Sequence, residues 1–168
     1  MSTVVSVEGP SLGQSRVCER VLRALPQWFG IESATLEYIA SAEKMPSFVA
    51  SVAGEPVGLA LFQRHFERSA ELHLIAVLPE AHRHGAGRAL LASGEAWLAG
   101  QGVEFLQVKT LSPARVDANY ARTRQFYLGV GFTPLEELPT LWDVRNPCLM
   151  LIKHLPRADL RSLATDPL

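Results

Sequence analysis

Residues 82–88 form a short basic segment with two glycines, between a mostly apolar stretch and a stretch with helical periodicity. Gly85 and Gly87 allow the backbone to approach a ligand closely, and a following helix leaves the N–H groups of its first turn without intrahelical partners. Those N–H groups and the positive end of the helix dipole favour a bound phosphate or pyrophosphate. Arg83 and Arg88 add positive charge on either side, so the segment predicts a site for a phosphorylated ligand.

Two other phosphate-binding loops do not match this segment. A dinucleotide-binding loop needs a third glycine three residues after the second, where this chain has Leu90. A Walker loop needs Gly-Lys-Ser/Thr, which is absent here. The turn alone is a weak indicator, and the ligand has to be inferred from the elements around it.

Two residues upstream of the turn could transfer protons. Glu71 and His73 stand two apart in a stretch that reads as a strand, so their side chains point to one face of the sheet. An imidazole with its ordinary pKa of ~6.5 is suited to accept a proton near neutral pH. The alternative is that Glu71 merely begins the strand at the surface and His73 packs in the core; both interpretations stay open at this point.

Hydrophobic periodicity divides the chain into strands and helices. Strands are predicted at 3–8, 47–53, 57–64, 72–78, 103–111 and 149–154, and helices at 13–25, 32–41, 87–99 and 117–129. The linker Gly54-Glu55-Pro56 predicts an antiparallel hairpin. Strand 72–78, helix 87–99 and strand 103–111 predict a right-handed βαβ unit with parallel strands. The predicted fold class is α/β with a mixed sheet.

Composition narrows the classes of function. The chain has 168 residues, 48% of them hydrophobic and 20% charged, with a formal net charge of −1. We expect one domain over residues 1–156 and a polar tail at 157–168, with no general basic surface for nucleic acid. The first residues do not read as a leader, and no stretch approaches the ~20 apolar residues of a membrane span. Cys18 and Cys148 lack metal-ligand spacing, so a cytoplasmic protein without a metal is expected.

Two motifs, in this order, resemble the GNAT superfamily of acetyl-CoA-dependent N-acetyltransferases. The first is Gln/Arg-x-x-Gly-x-Gly/Ala between a central strand and a helix, matched by residues 82–87 with His82 in the first position. The second is Tyr-x-x-x-Gly-Phe at a helix end, matched by Tyr127, Gly131 and Phe132. The resemblance covers residues 47–153. It implies a mixed, largely antiparallel sheet with a splayed parallel strand pair and flanking helices.

The resemblance also implies which residues bind acetyl-CoA. The strand backbone would pair with the pantetheine arm, and the turn would hold the pyrophosphate. Tyr120 stands where many relatives carry an asparagine that contacts the cofactor, and it is the candidate for that contact here. The full cofactor-binding set is Ile75, Ala76, Val77, His82, Arg83, His84, Gly85, Ala86, Gly87, Arg88 and Tyr120.

Three residues receive catalytic roles from the same resemblance. Tyr127 would donate a proton to the leaving thiolate, because a phenol with an ordinary pKa of ~10 stays protonated at neutral pH. Glu71 or His73 would accept a proton from the acceptor amine, directly or through water.

The implied function is transfer of an acetyl group from acetyl-CoA to a primary amine of a small molecule or peptide, directly within a ternary complex. The alternative is a non-catalytic module that binds acyl-CoA as a sensor or regulator, which the departures at His82 and Tyr120 keep open. A toxin that acetylates nucleic acid is disfavoured by the net charge of −1. The acceptor, the acyl length and the oligomeric state, a homodimer included, stay open.

Overall fold

A computed structural model describes residues 3–157 of the chain. Its strands are β1 (Val5–Ser11), β2 (Ser47–Val52), β3 (Glu55–Phe66), β4 (Ser69–Val77), β5 (Phe105–Leu111), β6 (Thr133–Asp143) and β7 (Asn146–His154). The helices are α1 (Ser15–Arg23), α2 (Glu32–Lys44), α3 (Ala86–Gly100) and α4 (Ala118–Gly129). The strands form one seven-stranded sheet in the order β1-β2-β3-β4-β5-β7-β6. The predicted polar tail lies outside the described residues, apart from Arg157.

The sheet is mixed, as predicted. Strands β4 and β5 run parallel, and the other neighbouring pairs run antiparallel. The parallel pairing extends only from Ser69 opposite Phe105 to Leu72 opposite Val108. Beyond that point β4 continues to Val77 and β5 to Leu111 without pairing to each other. The two central strands therefore leave a gap between their carboxyl-terminal halves.

Helices cover both faces of the central strands. Four consecutive residues of β3, Leu59 through Phe62, are almost fully buried, which requires packing on both faces of the sheet. Helix α1 packs on β3 and β4, and α3 packs on β1 through β4. Gly94 of α3 lies directly against the ring of Phe62. None of the helices between residues 3 and 157 is long and apolar enough to span a bilayer.

The β2–β3 hairpin is confirmed, but its turn differs from the predicted linker. Val52 pairs with Glu55, so the turn consists of Ala53 and Gly54 alone. Both residues have positive φ, 50° and 82°, as a two-residue turn with the twist of a hairpin requires. Pro56 lies within β3, not in the turn.

Strand β6 is not among the predicted strands. The residues of β6 are exposed almost throughout. Its sequence therefore lacks the alternation of apolar and polar residues that predicts a strand. It also contains Pro134 and Pro139, which argue against a strand unless the strand lies at a sheet edge. Within residues 3–157, β6 is such an edge and pairs with β7 alone, and this pairing defines it as a strand.

Candidate active site

The gap beside β4 exposes backbone hydrogen-bonding groups. Val77 lies opposite Gly58, and the adjacent hydrogen bond runs from Leu78 N to Val57 O at 2.7 Å. This pattern makes Val77 and Gly58 a non-hydrogen-bonded pair, so the N–H and C=O of Val77 point away from β3. By alternation, Ile75 also points its N–H and C=O toward the gap, whereas Ala76 pairs with β3. Two of the three predicted backbone positions therefore face the gap, and the third is used within the sheet.

His82 contacts the last residue of β4. Its Nε2 lies 2.6 Å from the carbonyl oxygen of Val77 and, because a carbonyl can only accept, this nitrogen carries the hydrogen. The edge of the Trp28 ring packs on the imidazole with 5.8 Å between ring centroids. The residue that departs from the family motif thus binds the end of β4 with its side chain.

The glycine turn leads into α3 as the sequence predicts. Gly85 has a φ of 77°, the left-handed conformation that favours glycine. The first backbone bond of the helix runs from Ala89 N to Gly85 O at 3.0 Å, so the N–H groups of the preceding three residues lie ahead of the hydrogen-bonded ladder. Packing also favours a glycine at position 87, apart from any close approach of a ligand. A Cβ added at Gly87 would lie 3.3 Å from the Phe126 ring.

The basic side chains of this turn are exposed. Arg83, His84 and Arg88 are all exposed beside the start of α3. They surround backbone N–H groups at a helix N-terminus, where negative charge is favoured. The turn follows, along the chain, the strand end that carries the gap-facing backbone groups of β4.

Glu71 is buried and held by two basic side chains that the sequence interpretation did not identify. Its side chain lies 2.7 Å from His65 Nε2 and 3.0 Å from Lys109 Nζ, one partner on each carboxylate oxygen. Only 8% of Glu71 is exposed. His65 and Lys109 come from the strands on either side of β4, so only the sheet register brings this group together.

His73 lies in a β-bulge. Leu61 pairs with Leu74 and the next residue of β3, Phe62, pairs with Leu72, so His73 is the extra residue of β4. Its ring packs against Tyr38 of α2 at 5.4 Å between centroids. Burial lowers the pKa of His73 below its ordinary value, and the nearby Glu71 carboxylate partly opposes this effect. The side chain is therefore neutral at pH 7 and able to accept a proton.

Tyr127 lies in the core with its hydroxyl unpartnered. The residue is 5% exposed, and its ring packs on Phe126 and Phe132 with 5.7 Å between centroids in each case. Within residues 3–157 its hydroxyl makes no hydrogen bond to protein. Burial raises the pKa of Tyr127, and the neighbouring Tyr38 and Tyr120 raise it further, so the phenol keeps its proton. Tyr38 of α2 and Tyr120 of α4 thus lie close enough to Tyr127 to affect its pKa.

Tyr120 and Thr123 tie α4 to the connection between α1 and α2. The Tyr120 hydroxyl donates to the carbonyl oxygen of Trp28 at 2.7 Å, and Trp28 Nε1 donates to Thr123 Oγ1 at 3.1 Å. Burial raises the pKa of Tyr120 to about 12, so this donor stays protonated. With the hydroxyl used in this way, any contact of Tyr120 with the coenzyme would involve its ring.

Comparison with known structures supports this fold. The chain is similar to a putative GNAT-family acetyltransferase from Desulfovibrio desulfuricans, with 22% identity, coverage of 91% of this chain and 100% of that one, and a TM-score of 0.76. It is similar to the ribosomal-protein-S18-alanine N-acetyltransferase of Escherichia coli, with 19% identity, coverage of 92% and 96%, and a TM-score of 0.70.

A third similar structure contains acetyl-CoA. It is a GNAT-family acetyltransferase from Elizabethkingia anophelis, with 15% identity, coverage of 90% of this chain and 98% of that one, and a TM-score of 0.66. No curated protein matches the sequence closely enough to be a relative. The model of the acetyltransferase (GNAT) family matches residues 16–132, well over half of the chain, and this protein therefore belongs to that family.

Proposed function

We propose that this protein transfers the acetyl group of acetyl-CoA to a primary amine, by direct reaction in a ternary complex. One observation carries the proposal: β4 turns backbone groups of Ile75 and Val77 toward the gap, and the turn that follows this strand opens a helix at Gly85. His73 lies on the same strand and packs on Tyr38, which also raises the pKa of the Tyr127 phenol.

The binding groups fit the coenzyme chemically. The pantetheine arm has amide groups that can pair with the N–H and C=O of Ile75 and with the N–H of Val77, whose C=O already accepts a hydrogen bond from His82. The pyrophosphate suits the first N–H groups of α3, with Arg83 and Arg88 providing positive charge. We assign His82 to fixing the turn through Val77 and His84 to the exposed rim. Bound acetyl-CoA would supply an activated acyl group with a thiolate leaving group.

His73 is the better candidate for the general base. Glu71 has both carboxylate oxygens engaged by His65 and Lys109, so accepting a proton would cost it these partners. His73 is neutral at pH 7 and lies on the face covered by α2. In this proposal Glu71 is a positioning residue whose negative charge stabilises the imidazolium that forms.

Tyr127 is the candidate for the general acid. Its phenol is protonated at neutral pH and has no protein partner within the described residues, so its hydrogen is available to the departing sulfur. A departing thiolate is less basic than a phenolate with a raised pKa, so the role of Tyr127 includes stabilising the negative sulfur by hydrogen bonding.

Two measurements on the intact protein test this function. Calorimetric titration with acetyl-CoA and with dephospho-CoA measures coenzyme binding. Release of free thiol is then followed with a panel of amines: alkylamines, an aminoglycoside, amino acids and an alanine-terminated peptide. We expect micromolar binding and amine-dependent thiol release with at least one class. The exchange of Arg83 and Arg88 to Gln should weaken coenzyme binding, and Arg16→Gln, an exposed arginine on α1, is the matched control.

The catalytic and the non-catalytic function predict different outcomes of these measurements. Coenzyme binding with no amine-dependent release across the panel would favour the non-catalytic acyl-CoA-binding module. Absence of coenzyme binding would overturn both functions.

A further inference from the structure

Gln107 of β5 lies at the closed end of the gap. It is paired with Glu71 of β4 on one side and with Ile152 of β7 on the other. The β4–β5 pairing ends one residue later, at Val108. Residues in register on neighbouring strands point to the same face, so the Gln107 side chain lies on the face of Glu71 and Lys109.

The amide oxygen of Gln107 has no hydrogen-bond partner within residues 3–157. Its Oε1 is buried and, among the residues the structure describes, it is the one buried side-chain polar atom without a hydrogen bond. The nearest strong donor on its own strand, Lys109, is bound to Glu71 at 3.0 Å. A buried acceptor without a donor destabilises the folded protein, and proteins retain such groups where a ligand or an ordered water completes them.

The chemistry of acetyl transfer provides a donor. When a primary amine attacks, its nitrogen forms a bond to the acetyl carbon and the carbon–sulfur bond breaks. One amine hydrogen leaves as a proton to His73, and the departing thiolate, stabilised by a hydrogen bond from Tyr127, takes up a proton from solvent to give the free thiol. The second hydrogen stays on nitrogen in the product amide, and it needs an acceptor throughout the reaction.

We propose that Gln107 accepts the retained N–H of the acceptor amine and thereby selects primary over secondary amines. The inference rests on the proposed acetyltransferase function. A secondary amine loses its only hydrogen during the reaction, so it leaves Gln107 without a donor. Gln107 is a specificity-determining residue here, and Glu71 beside it positions the base.

The variant Gln107→Met removes the amide at nearly constant volume. We expect the KM for the best amine of the panel to rise about tenfold, while the KM for acetyl-CoA stays constant. The preference for that amine over its N-methyl derivative should fall toward one. The melting temperature of the free protein should rise by about 2–4 °C, because an unpaired buried acceptor is removed.

The control is Gln63→Met. Gln63 flanks Glu71 from β3, on the same face, and its oxygen is not an unpaired buried atom. It should leave the amine KM and the primary-to-secondary ratio unchanged. A fall in melting temperature with an unchanged amine KM for Gln107→Met would overturn the proposal and assign Gln107 a structural partner such as water. A rise in melting temperature with unchanged selectivity would also overturn it.

Failure of the proposed acetyltransferase function can be distinguished from failure of the role of Gln107. If the wild-type protein binds acetyl-CoA but acetylates no amine of the panel, the proposed acetyltransferase function itself is refuted, before any variant is made. A wild type that turns over an amine, with a Gln107→Met variant of unchanged selectivity, refutes only the role of Gln107.

Discussion

His82 donates a hydrogen bond to the carbonyl oxygen of Val77 at 2.6 Å. This contact joins the first residue of the glycine turn to the last residue of β4. It fixes the distance between the strand end and the start of α3, which are the two parts that would hold the coenzyme. The ring of His82 thus provides a hydrogen-bond donor at the position where it departs from the Gln/Arg of the motif.

Loss of this contact should weaken coenzyme binding. We expect His82→Ala to raise the dissociation constant for acetyl-CoA about fivefold, the effect of one lost hydrogen bond of ~1 kcal/mol. His82→Gln keeps an N–H donor and should bind nearly as wild type does. Calorimetric titration measures both. Tighter binding by the alanine variant would show instead that His82 occupies a carbonyl that the coenzyme needs.

The pH dependence of kcat/KM should report His73. Burial lowers the pKa of His73 below ~6.5, and the base works only when neutral, so activity should fall as pH drops through that lowered value. Well above that lowered pKa this group should cause no change. The variant His73→Ala should lose this acidic limb together with most activity, whereas His154→Ala, an exposed histidine at the end of β7, should keep both. A limb that persists in His73→Ala belongs to another group.

Lys109 should affect the pH at which kcat/KM falls on the acidic side. Its positive charge lowers the pKa of His73, so Lys109→Met should move the acidic limb of the pH–rate profile to higher pH. The exchange also frees one oxygen of Glu71, whose negative charge raises the same pKa and acts in the same direction. Lys44→Met, an exposed lysine at the end of α2, is the control and should leave the profile unchanged. A shift to lower pH would contradict the assigned base.

Tyr127→Phe removes only a hydroxyl. If this hydroxyl protonates or stabilises the leaving sulfur, kcat should fall by about 10²-fold with little change in the dissociation constant for acetyl-CoA. The melting temperature should not fall, because the hydroxyl has no protein partner to lose within residues 3–157. Stopped-flow thiol release and calorimetry measure the two effects. Turnover at the wild-type rate would remove Tyr127 from the chemistry.

Gly94 should be irreplaceable for packing. An added Cβ would overlap the ring of Phe62, so Gly94→Ala forces α3 away from β3 and should destabilise the protein by about 1–3 kcal/mol. Gly100→Ala is the matched control in the same helix, since nothing lies near its added Cβ, and it should be neutral or stabilising by about 0.5–1 kcal/mol. Thermal unfolding compares the two. Equal melting temperatures would show that the Phe62 ring moves aside freely.

The local parts of the fold follow from the sequence alone. The strand before the turn and the helix after it depend on neighbours in sequence, and both are confirmed. The mixed sheet with its parallel pair is also confirmed, because a βαβ unit has one favoured handedness. Strand β6 could not be found in this way, since its exposed residues and two prolines carry no strand pattern.

The surroundings of the candidate site required the tertiary structure. Glu71 and His73 were identified as a pair, but the ring of Tyr38 and the bulge at His73 depend on α2 and β3. Their roles, and those of the cofactor-binding residues, stay predictions.

By itself the sequence determined the order strand, glycine turn, helix, and with it the family, because these features are set by residues within one short segment. Only the tertiary structure decided which side chains surround Glu71. His65 and Lys109 lie 6 and 38 positions away along the chain, and hydrogen-bonded register between strands places both on one carboxylate. Register depends on the whole sheet, so no local pattern could reveal it.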